Sequence, residues 1–135
     1  MSYLLGPHIL YSRKATQLAQ FLSEILDLEI MASNPSEGRI LLKGESISFQ
    51  VIQISAQKLP PVDGERDTIL TFEVEELSHL DDLLHKVQFM SYRNGDPTAL
   101  NSDKKAILHH EGGEHFFFLK DLDGRRWKFS YFSKT

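Results

Sequence analysis

The sequence predicts an α+β protein made of two tandem βαβββ modules. Three observations carry that expectation: a strand-like segment followed by a helical apolar stripe occurs twice, short alternating segments follow each pair, and a polar stretch with two prolines separates the halves. Residues 6–12, GPHILYS, are β-branched and aromatic in character. Ser12 is then read as the cap of a helix in which Ala15, Leu18, Ala19, Leu22, Ile25 and Leu26 recur at helical spacing. RILLKG is a short strand. In SISFQVIQIS, Ile47, Phe49 and Val51 alternate with Ser46, Ser48 and Gln50, and Lys43-Gly44-Glu45 suits the hairpin between the two strands.

The second half repeats the order. TILTFEV alternates as a strand, and Leu77, Leu80, Leu83, Leu84 and Val87 form the stripe of the next helix. RNGDPTALNSD reads as a loop. ILHHEGGEHFFFLKD reads as two extended arms around Gly112-Gly113, and DLDGRRWKFSYF as a tight turn entering a last strand. Residues 1–57 and 67–135 are therefore taken as the two modules of a single domain, with 58–66 as the linker; prolines there cannot donate to a sheet ladder.

Composition narrows the function. Hydrophobic residues make up 41% and charged residues 25% of the 135, ordinary for a globular chain, and no run is long enough to span a bilayer. No membrane association is expected, and no cationic leader precedes an apolar stretch. A net charge of −4, with Arg125, Arg126 and Lys128 as the one compact basic patch, argues against nucleic acid. The chain has no cysteine, so disulfides, thiolate zinc sites and cysteine nucleophiles are excluded, and a cytoplasmic location is expected. There is no Ser-His-Asp order, phosphate-cradling glycine loop or dinucleotide fingerprint.

Three segments, PHILYSRKATQLAQFLSEILDLEI, ILTFEVEELSHLDDLLHKV and FFFLKDLDGRRWKFSYF, together resemble the vicinal oxygen chelate superfamily of glyoxalases, bleomycin resistance proteins and extradiol dioxygenases. The most specific piece is DLDGRRWKF, similar to that family's D-P-D-G-N-x-x-E-L terminal hairpin, with Leu122 in place of proline and Arg125 in place of asparagine. The resemblance covers nearly the whole sequence. It implies two modules whose sheets curl into a cup, a cup-shaped mixed sheet, with a divalent ion held in metal-dependent members by residues of the strands. It also implies a homodimer.

Four positions test the implied metal site. His8 matches the first ligand position and Gln50 the second, where an amide oxygen is a weak ligand for a hard cation. Ile69 stands where the second module's histidine would be and has no lone pair. Lys128 stands where the glutamate would be, and a protonated ammonium repels a divalent ion. The usual site is thus incomplete, no cofactor is expected, and a divalent metal would need an altered ligand set. Lys128 is read instead as supplying the positive charge, so that His8, Gln50 and Lys128 bind a small anionic or aromatic molecule; its competing reading is an ion pair with Glu73. Ser12, Ser48, Thr71 and Ser130 are placed on the same cup face, where small hydroxyls leave room for a ligand.

No catalytic residue is assigned. The alternative function is a divergent lyase, isomerase or dioxygenase, using a noncanonical metal set or His8 as base beside Lys128; a non-catalytic interaction domain is a third. HHEGGEH brings His110 opposite His115 across its hairpin, with Glu111 and Glu114 nearby, which reads as a solvated tip or a metal cluster. The roles of His109, His110 and His115 stay open. The rings of Phe116 to Phe118, Trp127, Phe129, Tyr131 and Phe132 divide by strand parity between core and ligand pocket.

Overall fold

The computed structural model describes residues 5–34, 38–55, 68–95 and 107–133. They form two compact units, Met1–Val62 and Asp63–Thr135, each with one four-stranded sheet and one helix. The linker 58–66 lies outside the described residues, as does most of the RNGDPTALNSD loop.

The first unit runs β1 (His8–Ser12), α1 (Ala15–Leu26), β2 (Glu29–Asn34), β3 (Arg39–Lys43) and β4 (Ser48–Gln53), with sheet order β1-β4-β3-β2. β1 is parallel to β4, and the other neighbours are antiparallel. Leu10, Ile40, Leu42, Phe49 and Val51 occupy one face and are buried, together with Ala15, Leu18, Ala19, Leu22 and Ile25 of α1. That contact is the core of the unit, formed because a period of two on the strands meets a period of 3.6 on the helix. Ile9 and Tyr11, on the other face of β1, stay 53% and 47% exposed.

The start of α1 differs from expectation. Ser12 is not the cap: its buried Oγ accepts a hydrogen bond from the Lys14 amide at 3.0 Å, in a turn ahead of the helix. The first helical amide, Ala15, donates instead to Gln53 Oε1 at 2.8 Å, and Gln53 Nε2 donates to the Arg13 carbonyl. A residue 38 positions along the chain thus satisfies one of the orphan donors that every helix start leaves. Tertiary contact has supplied what local sequence did not.

The second unit runs β5 (Thr68–Glu73), α2 (Leu77–Arg93), β6 (His109–Glu111), β7 (Glu114–Lys120) and β8 (Arg126–Phe132), in sheet order β5-β8-β7-β6. Phe117, Trp127 and Phe129 form the buried face, with Leu80 and Leu84 buried on α2. Phe129 lies between Phe72 at 5.6 Å and Phe117 at 5.3 Å, both stacked. Leu77, counted in the apolar stripe, opens the helix and is 37% exposed, while Met90 near its end is buried.

Two turns set the registers of this sheet. Gly112 and Gly113 take φ of 59° and 83°, the positive values that a two-residue hairpin demands and that glycine adopts without a Cβ clash. After β7, Asp121 Oδ1 accepts from the amides of Asp123 and Arg125 at 2.9 and 3.0 Å, and Oδ2 accepts from Trp127 Nε1 at 3.0 Å. Arg125 Nη1 lies 3.3 Å from Asp123 Oδ2 and 3.6 Å from Asp121 Oδ2. All three charged side chains are buried. Among the described residues, no helix is long and apolar enough to cross a membrane.

Candidate functional site

On the face of the second sheet away from α2, β8 presents Arg126, Lys128 and Ser130, β7 presents Glu114, Phe116 and Phe118, and β5 presents Thr71 and Glu73. Lys128 pairs with Phe118 in register, yet its Nζ reaches along the sheet to Glu114 Oε1 at 3.1 Å. On the way it lies over the Phe116 ring, 4.6 Å from its centroid. The guanidinium of Arg126 lies over the Phe118 ring at 4.1 Å. Cations and rings therefore interleave along one face, each cation held against the negative face of a ring.

Ser130 is fully buried, and its Oγ donates to Glu114 Oε2 at 2.7 Å. With Lys128 on the other oxygen, both Glu114 oxygens have partners. The Ser130 hydroxyl is the largest cause holding the Glu114 carboxyl below the ordinary 4.5; burial opposes it, and the hydrogen bond and charge of Lys128 lower it further. A carboxyl lowered on folding stabilises the protein fully above its unfolded value, and that contribution is lost as pH falls through the folded value. Urea unfolding of the wild type and Glu114→Gln is therefore expected to show a smaller fall in stability below about pH 5 in the variant. Parallel curves would remove Glu114 from the account.

The predicted site residues separate on inspection of the strands. Lys128, Ser130 and Thr71 share a face as expected, but the ion pair of Lys128 is with Glu114 rather than Glu73. In the first unit the parity of β1 relative to β4 corrects the expected set. His8 pairs with Phe49, their rings 5.6 Å apart, and Ser12 pairs with Gln53, so His8 and Ser12 belong to the face covered by α1. Gln50 pairs with Ile9 and with Leu41 on the opposite face, where Ser48 also stands. The reason is the two-residue period: Leu10 must face the helix, and His8, two residues before it, goes the same way. The side chain of Ile69 lies outside the described residues.

This geometry does not fit the divalent ion that the resemblance implies. Within the first unit His8 and Gln50 point to opposite faces, and in the second an ammonium stands among the donors and already occupies a carboxylate oxygen. Among the described residues no group of three or more His, Asp or Glu side chains is arranged to hold a metal. Sequence reading had not singled out Glu114, Phe116, Phe118 and Arg126 as one group. Their parity with Lys128 follows once the Asp121–Gly124 turn fixes the register of β7 against β8.

No family model matches the sequence, and no curated protein matches it. Solved structures do. A genomically encoded fosfomycin resistance protein, FosX, from Listeria monocytogenes aligns with a TM-score of 0.69 at 10% identity, over 98% of this chain and 96% of that one. A glyoxylase/bleomycin resistance protein/dioxygenase domain from Frankia sp. EAN1pec aligns with a TM-score of 0.67 at 15% identity, over 98% and 95%. A lactoylglutathione lyase from Agrobacterium tumefaciens aligns with a TM-score of 0.62 at 12% identity, over 97% and 95%. At such identities the likeness speaks for architecture and leaves activity to the residues. With βαβββ order in both halves and alignment across nearly the whole chain, this protein has the α+β fold of the vicinal oxygen chelate superfamily.

Proposed function

We propose that the protein binds a small, flat, anionic organic molecule on the Lys128 face of its second sheet, without a resident metal. The observation that carries this reading is the interleaving of Arg126, Phe118, Lys128 and Phe116. A planar ligand has ring faces to stack on, and a negatively charged substituent has two cations to meet. Glu114 and Ser130 fix the ammonium in place, so that little side-chain entropy is lost on binding. Thr71, the register partner of Lys128 on β5, adds a hydroxyl at the margin. Gln50 and Ser48 stand on the face of the first sheet away from α1. A homodimer in the cytoplasm is the setting we propose for it.

The neighbours of this fold include a lyase and a resistance protein, so the fold by itself does not select an activity. Binding is the reading favoured here, because Lys128 and Ser130 both spend their donors on Glu114, which holds the ammonium as a fixed charge.

The test is a screen of aromatic carboxylates, starting with benzoate and naphthoate, by ligand-observed NMR on the full chain. Lys128→Ala is expected to weaken each ligand found by about tenfold or more, the loss of one partly desolvated charge contact. Lys128→Arg should recover part of it. Unchanged affinity in Lys128→Ala for every ligand found would refute the charge-replacement idea.

A further inference from the structure

The β6–β7 hairpin carries a second arrangement that the proposed ligand face does not use. Its glycine turn places Glu111 opposite Glu114 and His110 opposite His115. The two imidazole rings stack with centroids 4.1 Å apart and planes 9° from parallel. Tyr131, the partner of His115 on β8, extends the row, its ring 5.9 Å from His115. Strand parity puts this row on the opposite face of the sheet from Glu114, Lys128 and His109. The glutamates of HHEGGEH therefore stand away from the histidine pair, and no carboxylate of the hairpin joins it.

We infer that His110 and His115 form a two-imidazole chelate for a borderline divalent transition ion such as Cu²⁺, Ni²⁺ or Zn²⁺. Imidazole nitrogens suit these ions, and the Irving–Williams order places Cu²⁺ first. The lone pair of each nitrogen lies in the plane of its ring, so parallel rings aim their lone pairs side by side rather than at one point. Binding requires one ring to turn and the stack to open. His110 is exposed, on the edge strand of the sheet, and turns without displacing a core side chain. The backbone itself is already held by the cross-strand pairing, so no loop has to be ordered to bring the two ligands together. Two protein ligands leave the remaining coordination positions to water, which makes the site open and weaker than a closed four-ligand centre. The ion competes with protons, since both imidazoles must be neutral to bind it.

The test uses the full chain without a histidine tag. Calorimetric titration with NiCl2 and CuCl2 at neutral pH is expected to give one ion per chain, bound more tightly for copper. His110→Asn and His115→Asn should each weaken binding at least tenfold. His109→Asn should leave it unchanged, because His109 stands on the other face, stacked 5.3 Å from Phe116. A readout that needs no variant guards against misfolding: as paramagnetic Cu²⁺ is added to the wild type, the imidazole signals of His110 and His115 should broaden before all other histidine signals. Equal affinity in the two variants, equal loss in His109→Asn, broadening centred on another histidine, or no uptake at millimolar ion would each overturn the inference.

Discussion

Asp121→Asn is expected to lower stability by about 3 kcal/mol, within the range for breaking a buried charged network by removing one partner. The side chain is nearly isosteric, so the loss comes from chemistry rather than volume. Asp121 accepts three hydrogen bonds, two from turn amides and one from the Trp127 indole, and faces the buried guanidinium of Arg125. An amide in its place still offers one oxygen to the turn, but it turns an NH2 group toward the indole N–H and the guanidinium. Donors then meet donors, and the Arg125 charge keeps only Asp123 as its acidic partner among the contacts described for this turn. A loss of this size corresponds to a fall in melting temperature on the order of 10 °C for a domain of this length. Urea unfolding and a thermal scan measure it, and a variant within about 1 kcal/mol of wild type would show that the buried cluster is not a stabilising network.

Phe129→Ala should cost about 4 kcal/mol, whereas Phe116→Ala should cost about 1 kcal/mol or less and act on ligand affinity instead. The two rings belong to adjacent strands and differ only in the face they take. Phe129 is 1% exposed and stacked between Phe72 and Phe117, so its removal leaves a cavity among rings that cannot collapse into it. Phe116 lies on the other face beneath the Lys128 ammonium. Chemical denaturation separates the pair, and binding of the aromatic carboxylate probes then ranks the variants in the opposite order. Equal destabilisation by both would mean that the two faces of the sheet are packed alike, and the proposed ligand face would lose its basis.

The sequence by itself determined the order of elements. Alternation on β4 and β5, the spacing of Leu18, Leu22 and Ile25, and the glycine and aspartate turns are local signals, written in periods of two and 3.6 and in residues that tolerate positive φ. The strand Glu29–Asn34 carries no such signal, because a bulge between Ile30 and Ala32 breaks its alternation. The same period of two put Lys128 and Ser130 on one face of β8. What only the tertiary structure decided was the relation between strands that are far apart in sequence. Whether His8 shares a face with Gln50 depends on the register of β1 against β4, and a shift of one residue sends a side chain to the opposite face. Burial of Leu10 against α1 fixed that register and carried His8 to the covered side. Likewise the partner of Lys128 depended on how far its stem reaches along β7, where Glu114 and the Ser130 hydroxyl offered a better-held acceptor than Glu73. Parity within a strand is a property of the chain, but parity between strands is set by the core that the whole module buries.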